Sequence, residues 1–223
     1  MNQMEQVNNS NKLYRATGWI MLAQAVLPLT AGLLFQSLEA EGNAAATMAN
    51  LATHMPLANT SVLLWIAAAI CVVILGILLY DATKALGKTL AAIACSMYLF
   101  EAFLIVVGQV FVVALLKTSA LSITSGGVNF TDIGNVLLSC RHIAGELAMI
   151  PFGVGALIFY PLLMKTKALP KWLAIWGIVS APLIMIGVPL TTFGVSVPAA
   201  VLAPYVPFEF FTAVYLLIRY RKK

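Results

Sequence analysis

The chain has 223 residues, 61% of them hydrophobic and only 9% charged, and its mean hydropathy is +0.96. Soluble domains carry about 25% charged residues, so a water-facing surface cannot be covered here, which argues against soluble globular, disordered and nucleic-acid-binding classes. The net charge of +5 is informative by position: eleven of the thirteen basic residues, Lys12, Arg15, Lys84, Lys88, Lys165, Lys167, Lys171, Arg219, Arg221, Lys222 and Lys223, lie in short loops or at the two ends. That is the distribution of a positive-inside membrane protein, its basic excess turned to the cytoplasm and anionic headgroups.

The first 15 residues are polar and Asn-rich, with no immediate apolar core, so the first apolar run reads as a retained helix and not a signal peptide. Six runs reach the roughly 20 residues needed to span a bilayer, near 17–36, 61–80, 90–116, 135–164, 172–193 and 198–218. Their connections alternate in charge. Residues 37–60 hold Glu39 and Glu41 and no Lys or Arg; 81–89 hold Lys84 and Lys88; 117–134 hold Lys117 and Asp132; 165–171 hold three lysines; 194–197 are uncharged; the tail is RYRKK. One topology satisfies every connection: an all-α polytopic bundle of six spans in the cytoplasmic membrane, both termini cytoplasmic, forming one domain whose first partner is the lipid bilayer. Homo-oligomerisation stays open.

Between the first two spans, Ala44, Met48, Leu51 and Met55 recur at helical spacing and predict a short helix, lying on the outer interface or tucked into the bundle, with Pro56 and Asn59 ending it. His54 in this segment reads as an interfacial side chain. Residues 117–134 are rich in Ser, Thr and Gly, with a turn at Gly126 and Gly127. Pro151, Pro182 and Pro189 predict kinks in the fourth and fifth spans, and Pro198, Pro204 and Pro207 an irregular approach to the sixth. Trp19, Trp65, Trp172 and Trp176 sit near run ends, as interfacial anchors do. Cys71, Cys95 and Cys140 form no C-x-x-C pair and read as small packing residues.

Five ionisable residues fall inside the apolar runs: Glu101 in the third, Arg141, His142 and Glu146 in the fourth, and Glu209 in the sixth. An Arg or Asp near a helix centre costs about 2.5–3.5 kcal/mol to insert, and such residues are rare unless they face a cavity or one another. Asn135, Ser139, His142 and Glu146 follow at i, i+4, i+7 and i+11, within a narrow arc of one helix face about 16 Å long. This stripe is expected to look into the bundle, with His142 and Glu146 one turn apart and able to hydrogen-bond. Arg141 points about a third of a turn away, toward another helix or outward. Tyr98, Glu101, Gly108 and Gln109 share a face of the third span. Glu101, Glu146 and Glu209 are therefore expected at a common depth, in one buried cluster.

Three carboxylates against one guanidinium leave a net negative charge that a membrane-embedded cavity will not hold unpaired. Three resolutions are open. One or more Glu stays protonated; a cationic ligand enters; or a metal binds, with His142, Glu146 and Glu101 as weak candidate ligands. No metal motif such as H-E-x-x-H, no P-loop and no G-x-S-x-G is present. No inverted repeat marks an energy-coupled transporter. Glu209, two residues after Pro207, also fits a helix-start role at the water boundary.

The segments KLYRATGWIMLAQAVLPLTAGLLF, GNAAATMANL, YLFEAFLI with Glu101, the block from His142 through ALIFYPLLMKTKALPKWLAIWGI, and FEFFTAVYLLI with Glu209 together resemble the bacterial membrane proteins grouped as domain of unknown function 4386. The resemblance runs from about Tyr14 to Arg221. It implies membership and a multi-pass fold. Family members often place an Arg just before the central acidic residue, where this chain has Tyr98, Leu99 and Phe100. No activity or cofactor comes with the resemblance. Three functions stay open: a proton- or small-ligand-binding membrane protein, transport- or sensor-like, built on Glu101, Arg141, His142, Glu146 and Glu209 with Tyr98, Gln109, Ser139 and Asn135; an intramembrane metal-dependent enzyme acting on lipid or a small apolar substrate; and a structural or assembly protein.

Overall fold

The computed structural model describes residues 3–124 and 129–221, and the described residues are helical, with no strand. Eight helices follow in order: α1 (Gln3–Gln36), α2 (Ala44–Thr53), α3 (Met55–Thr83), α4 (Lys88–Thr124), α5 (Thr131–Lys165), α6 (Lys171–Thr192), α7 (Ala199–Leu202) and α8 (Tyr205–Arg219). Six segments are long and apolar enough to cross a membrane, the sixth being α7 and α8 taken together. The expected turn at Gly126 and Gly127, and the last two lysines of the tail, lie outside the described residues.

The spanning helices form a closed ring. Each packs on its predecessor, α1 on α3, α3 on α4, α4 on α5, α5 on α6 and α6 on α8, and α8 returns to α1. The closure is tight. A Cβ on Gly18 of α1 would lie 3.1 Å from the Ala213 carbonyl oxygen of α8. At one end of the ring the Tyr14 and Tyr220 rings stack with centroids 4.8 Å apart, and the Tyr220 hydroxyl donates to the Ala168 carbonyl in the α5–α6 turn at 3.5 Å. The starts of α1 and α6 and the ends of α5 and α8 thus gather at one end. The opposite end carries α2.

The predicted short helix is α2, and it is tucked in: Ala44, Thr47, Met48 and Leu51 are buried where it packs on α4 and α5. Asn43 caps it, its side-chain oxygen accepting from the Ala46 amide at 3.0 Å. It ends at Thr53, earlier than Pro56 and Asn59 predicted. Pro56 instead falls in the first turn of α3, where its missing N–H costs nothing. His54 stays exposed, its ring bonded to the Thr53 hydroxyl. α2 also fixes the preceding loop. The Ala40 amide donates to Thr47 Oγ1 at 2.9 Å, and Asn50 Nδ2 donates to the Leu38 carbonyl at 3.1 Å.

Pro28, Pro151, Pro161, Pro182 and Pro189 all lie within helices that continue through them. The expected irregularity before the sixth span is a break between α7 and α8. α8 has 15 residues, about 22 Å at 1.5 Å per residue, short of the roughly 30 Å hydrocarbon layer. Trp176 crosses to this break, Nε1–H donating to the Pro204 carbonyl at 3.0 Å. It satisfies a part-buried backbone acceptor at the break. Trp19 and Trp172 are exposed, as anchors should be.

Small residues allow large ones to cross the interfaces. A Cβ on Gly155 of α5 would lie 2.7 Å from the Tyr98 ring and 3.1 Å from the Ala94 carbonyl oxygen of α4. Gly155→Ala is therefore expected to lower stability by about 1–3 kcal/mol through overpacking. Unfolding in mixed detergent micelles checks this, and an unchanged midpoint would refute the tight α4–α5 seam.

Candidate functional site

The ring encloses a cavity of about 510 Å³ with contributions from α1, α3, α4, α5, α6 and α8. Its walls mix Trp65, Ile105 and Phe152 with Gln24, Gln109 and the carboxylates Glu101, Glu146 and Glu209. Gln24, Tyr205 and Glu209 also wall a second, narrow space of about 10 Å³ nearer the Tyr14–Tyr220 contact, lined by Tyr98, Tyr160 and Thr212. That volume is room for about one water. Leu29 of α1 and Val206 of α8 line the large cavity and are also exposed, so the cavity reaches the flank of the ring between these helices.

An aromatic floor separates the two spaces. Phe152 meets Tyr205 edge-on with centroids 4.9 Å apart, and Tyr98 meets Phe159 edge-on at 5.4 Å. The hydroxyls of Tyr160 and Tyr205 are 3.1 Å apart, and Tyr205 donates to Glu209 Oε1 at 3.0 Å. Glu209 is therefore held from its own helix one turn back. It is a wall residue of the interior and not a helix cap at the water boundary.

Glu101 is 3% exposed, and its Oε2 has no hydrogen-bond partner. The other buried polar side-chain atoms without a partner, among the described residues, are Gln24 Oε1, Trp65 Nε1 and Thr212 Oγ1. All four residues wall one or both spaces. A buried polar group left unpaired costs about 1–3 kcal/mol, and these four, among the described residues, sit on the walls of the two spaces with their hydrogen-bonding capacity left open.

The α5 stripe divides along its length. Asn135 and Ser139 are exposed and do not line the cavity; Ser139 Oγ donates to the Asn135 carbonyl at 2.9 Å. The period places them on one face, but that face leaves the bundle toward the α2 end. His142 and Glu146 do line the cavity, yet they do not pair. His142 Nε2 bonds Glu39 Oε1 at 2.9 Å. Glu146 accepts from Thr191 Oγ1 at 3.0 Å and from Thr192 Oγ1, at the end of α6. Each finds a partner on another element, and the i, i+4 contact is forgone. Among the described residues no three His, Cys, Asp or Glu side chains converge on a point that would hold a metal ion. His142 is bonded to Glu39.

Glu39 is the residue that the sequence reading left out of the site. It lies in the loop that α2 pins, and it joins two groups of α5. Arg141 Nη1 is 3.7 Å from Glu39 Oε2, and the Arg141 guanidinium stacks on the Phe35 ring with its carbon 3.8 Å from the centroid. The hydrogen bond from His142 and the charge of Arg141 hold the Glu39 carboxyl below its ordinary value, against partial burial that pushes it up. With its acceptor ionised, Nε2 of His142 carries the proton. This latch ties α5 to the loop after α1 and occupies the one guanidinium at the cavity wall. Gln24 and Trp65 were also missed as site residues. A lone Gln inside the first apolar run was the available signal for one of them, and a Trp gives none, because it serves equally as an anchor.

A ring of helices long and apolar enough to cross a membrane, around a mostly apolar cavity edged by a few polar groups, is the architecture of a polytopic helical membrane protein. The chain belongs to the family described as Domain of unknown function (DUF4386), whose sequence pattern matches residues 16–219. No curated protein and no solved structure matches it.

Proposed function

We propose that the protein is a single membrane domain that takes up a proton or a small ligand in its central cavity, as a carrier or sensor does, in the cytoplasmic membrane with both termini inside. The supporting observation is that the four partnerless buried polar atoms all belong to walls of two adjoining spaces. A packing or assembly role would leave no reason to collect them there. The topology rests on charge. The end with the Tyr14–Tyr220 contact carries Lys12, Arg15, Lys84, Lys88, Lys165, Lys167 and Lys171 against Asp81, and the α2 end carries Glu39, Glu41 and Asp132 against Lys117 and Arg141. Glu101, Glu146 and Glu209 are the carboxylates that would hold the occupant. Tyr98, Gln109 and Tyr205 would shape its seat.

Thiol labelling tests this reading. Gly145 lines the cavity, and a Cβ there would meet nothing within 4 Å. In a background with Cys71, Cys95 and Cys140 changed to Ala, the Gly145→Cys variant is expected to react with a membrane-impermeant thiol reagent added to right-side-out vesicles. The Lys84→Cys variant is expected to react only after permeabilisation. An inert Gly145→Cys variant rejects a cavity wall reached by solvent at Gly145, and a Lys84→Cys variant labelled in sealed vesicles rejects the topology with both termini inside.

A further inference from the structure

We infer that the cavity is a site for a protonated organic amine with a compact apolar body. This rests on the ligand-binding reading above and specifies its ligand class. The first ground is charge. Three carboxylates, Glu101, Glu146 and Glu209, line the space, and among the described residues none of them forms an ion pair. The one Arg or Lys at the wall, Arg141, is 16% exposed, stacked on Phe35 and committed to Glu39. An anion entering here would find that guanidinium occupied and three carboxylates facing it. A cation completes the balance that the protein leaves open.

The second ground is the direction of the missing hydrogen bonds. Of the partnerless atoms on the walls of this cavity, Glu101 Oε2, in a side chain 3% exposed, and Gln24 Oε1, in one 8% exposed, are acceptors, and Trp65 Nε1 is the one donor. Glu101 and Gln24 both belong to the wall of the same cavity, where the two covered oxygens lack a donor. A primary ammonium supplies three donors from one atom, and hydrogen bonds from a charged donor to a carboxylate are about twice as strong as neutral ones. Trp65 and Tyr205 are aromatic residues of the same wall, a residue type that attracts a cation where its ring face is reached.

The third ground is shape and access. Cavities for small organic ligands run from about 300 to 1,000 Å³ with mostly apolar walls and a few polar groups, and this one holds about 510 Å³. Ile105, Met149, Phe152, Ile184 and Val188 supply the apolar wall. A bare metal ion or a proton would leave that wall uncovered. Leu29 and Val206 at the flank make the opening apolar as well, which suits an amphiphilic amine arriving from the bilayer.

Equilibrium dialysis of the full chain in nanodiscs, with empty nanodiscs as the reference, uses adamantylamine and its neutral isostere adamantanol as probes. The amine is expected to bind wild type about tenfold tighter than the alcohol, the worth of one charge-assisted hydrogen bond. Glu101→Gln, nearly isosteric and so able to keep the fold, is expected to remove most of that preference while alcohol binding stays within about twofold. Equal binding of the two probes to wild type overturns the amine assignment and leaves the cavity reading standing. Binding of neither probe overturns both. A preference that survives in Glu101→Gln, Glu146→Gln and Glu209→Gln alike also overturns the assignment, because the carboxylates would then not be its source.

Discussion

Replacing Arg141 with Met is expected to cost about 2–4 kcal/mol of stability, although the new side chain keeps much of the length and apolar character of the old one. The loss has two sources. A partly buried Glu39 keeps its charge with only the His142 hydrogen bond to hold it, and removing one member of such a pair costs more than the pair itself contributes. The guanidinium also stops covering Phe35, a contact worth about 0.5–2 kcal/mol. The double variant Arg141→Met with Glu39→Gln is expected to be less damaged than the sum of the singles, by about 1–2 kcal/mol. Unfolding of the four proteins in mixed micelles reads this directly. Strict additivity would show that the latch does not exist. Acid gives an independent check. Because Glu39 titrates below its ordinary value of 4.5 in the folded protein, its stabilisation is fully present above pH 4.5 and is lost as pH falls through the lowered value. The stability gap between wild type and Glu39→Gln is therefore expected to close on acidification below about pH 4.5.

Gly145→Phe is expected to do the opposite: abolish uptake of adamantylamine while leaving the fold intact or slightly firmer. Gly145 sits inside α5, and no atom of another side chain lies within 4 Å of a Cβ built there. Removing a mid-helix glycine stabilises by about 0.5–1 kcal/mol, and the ring grows into the cavity that Gly145 lines. Binding is expected to weaken by at least about tenfold, the scale of one lost contact of roughly 1.4 kcal/mol. If Gly145→Phe binds the amine as wild type does, the ligand sits elsewhere.

What the chain reveals before folding follows from the range of each signal. The spans and α2 were legible because hydropathy and helical spacing act within 10 to 40 neighbouring residues. Glu101 was legible because a carboxylate inside an apolar run has to be explained wherever it lies. The inward turn of Tyr98 and Gln109 was readable too, since they share the Glu101 face and both are buried. The stripe on α5 was half legible. Periodicity said that Asn135, Ser139, His142 and Glu146 share a face, but not where along the helix that face stops meeting neighbours. Glu39 was not legible at all. Its partner His142 is 103 positions away, and nothing near Glu39 distinguishes it from Glu41. The pairing of Glu146 with Thr191 and Thr192 is hidden for the same reason. Two threonines at a span end look like any solvated terminus until the ring brings α5 beside α6.

Ring closure also has a consequence for biogenesis. Five of the six seams join consecutive spans, so each can form as its second helix leaves the ribosome-bound translocon. The sixth joins α1 to α8, and it must wait until α8 has been made. Until α8 arrives, there is no enclosed chamber, and Glu101 and Glu146 stand on a half-built wall beside lipid. A nascent chain at that stage is at its most vulnerable to membrane quality control. The C-terminal helix acts as the stave that makes the barrel hold.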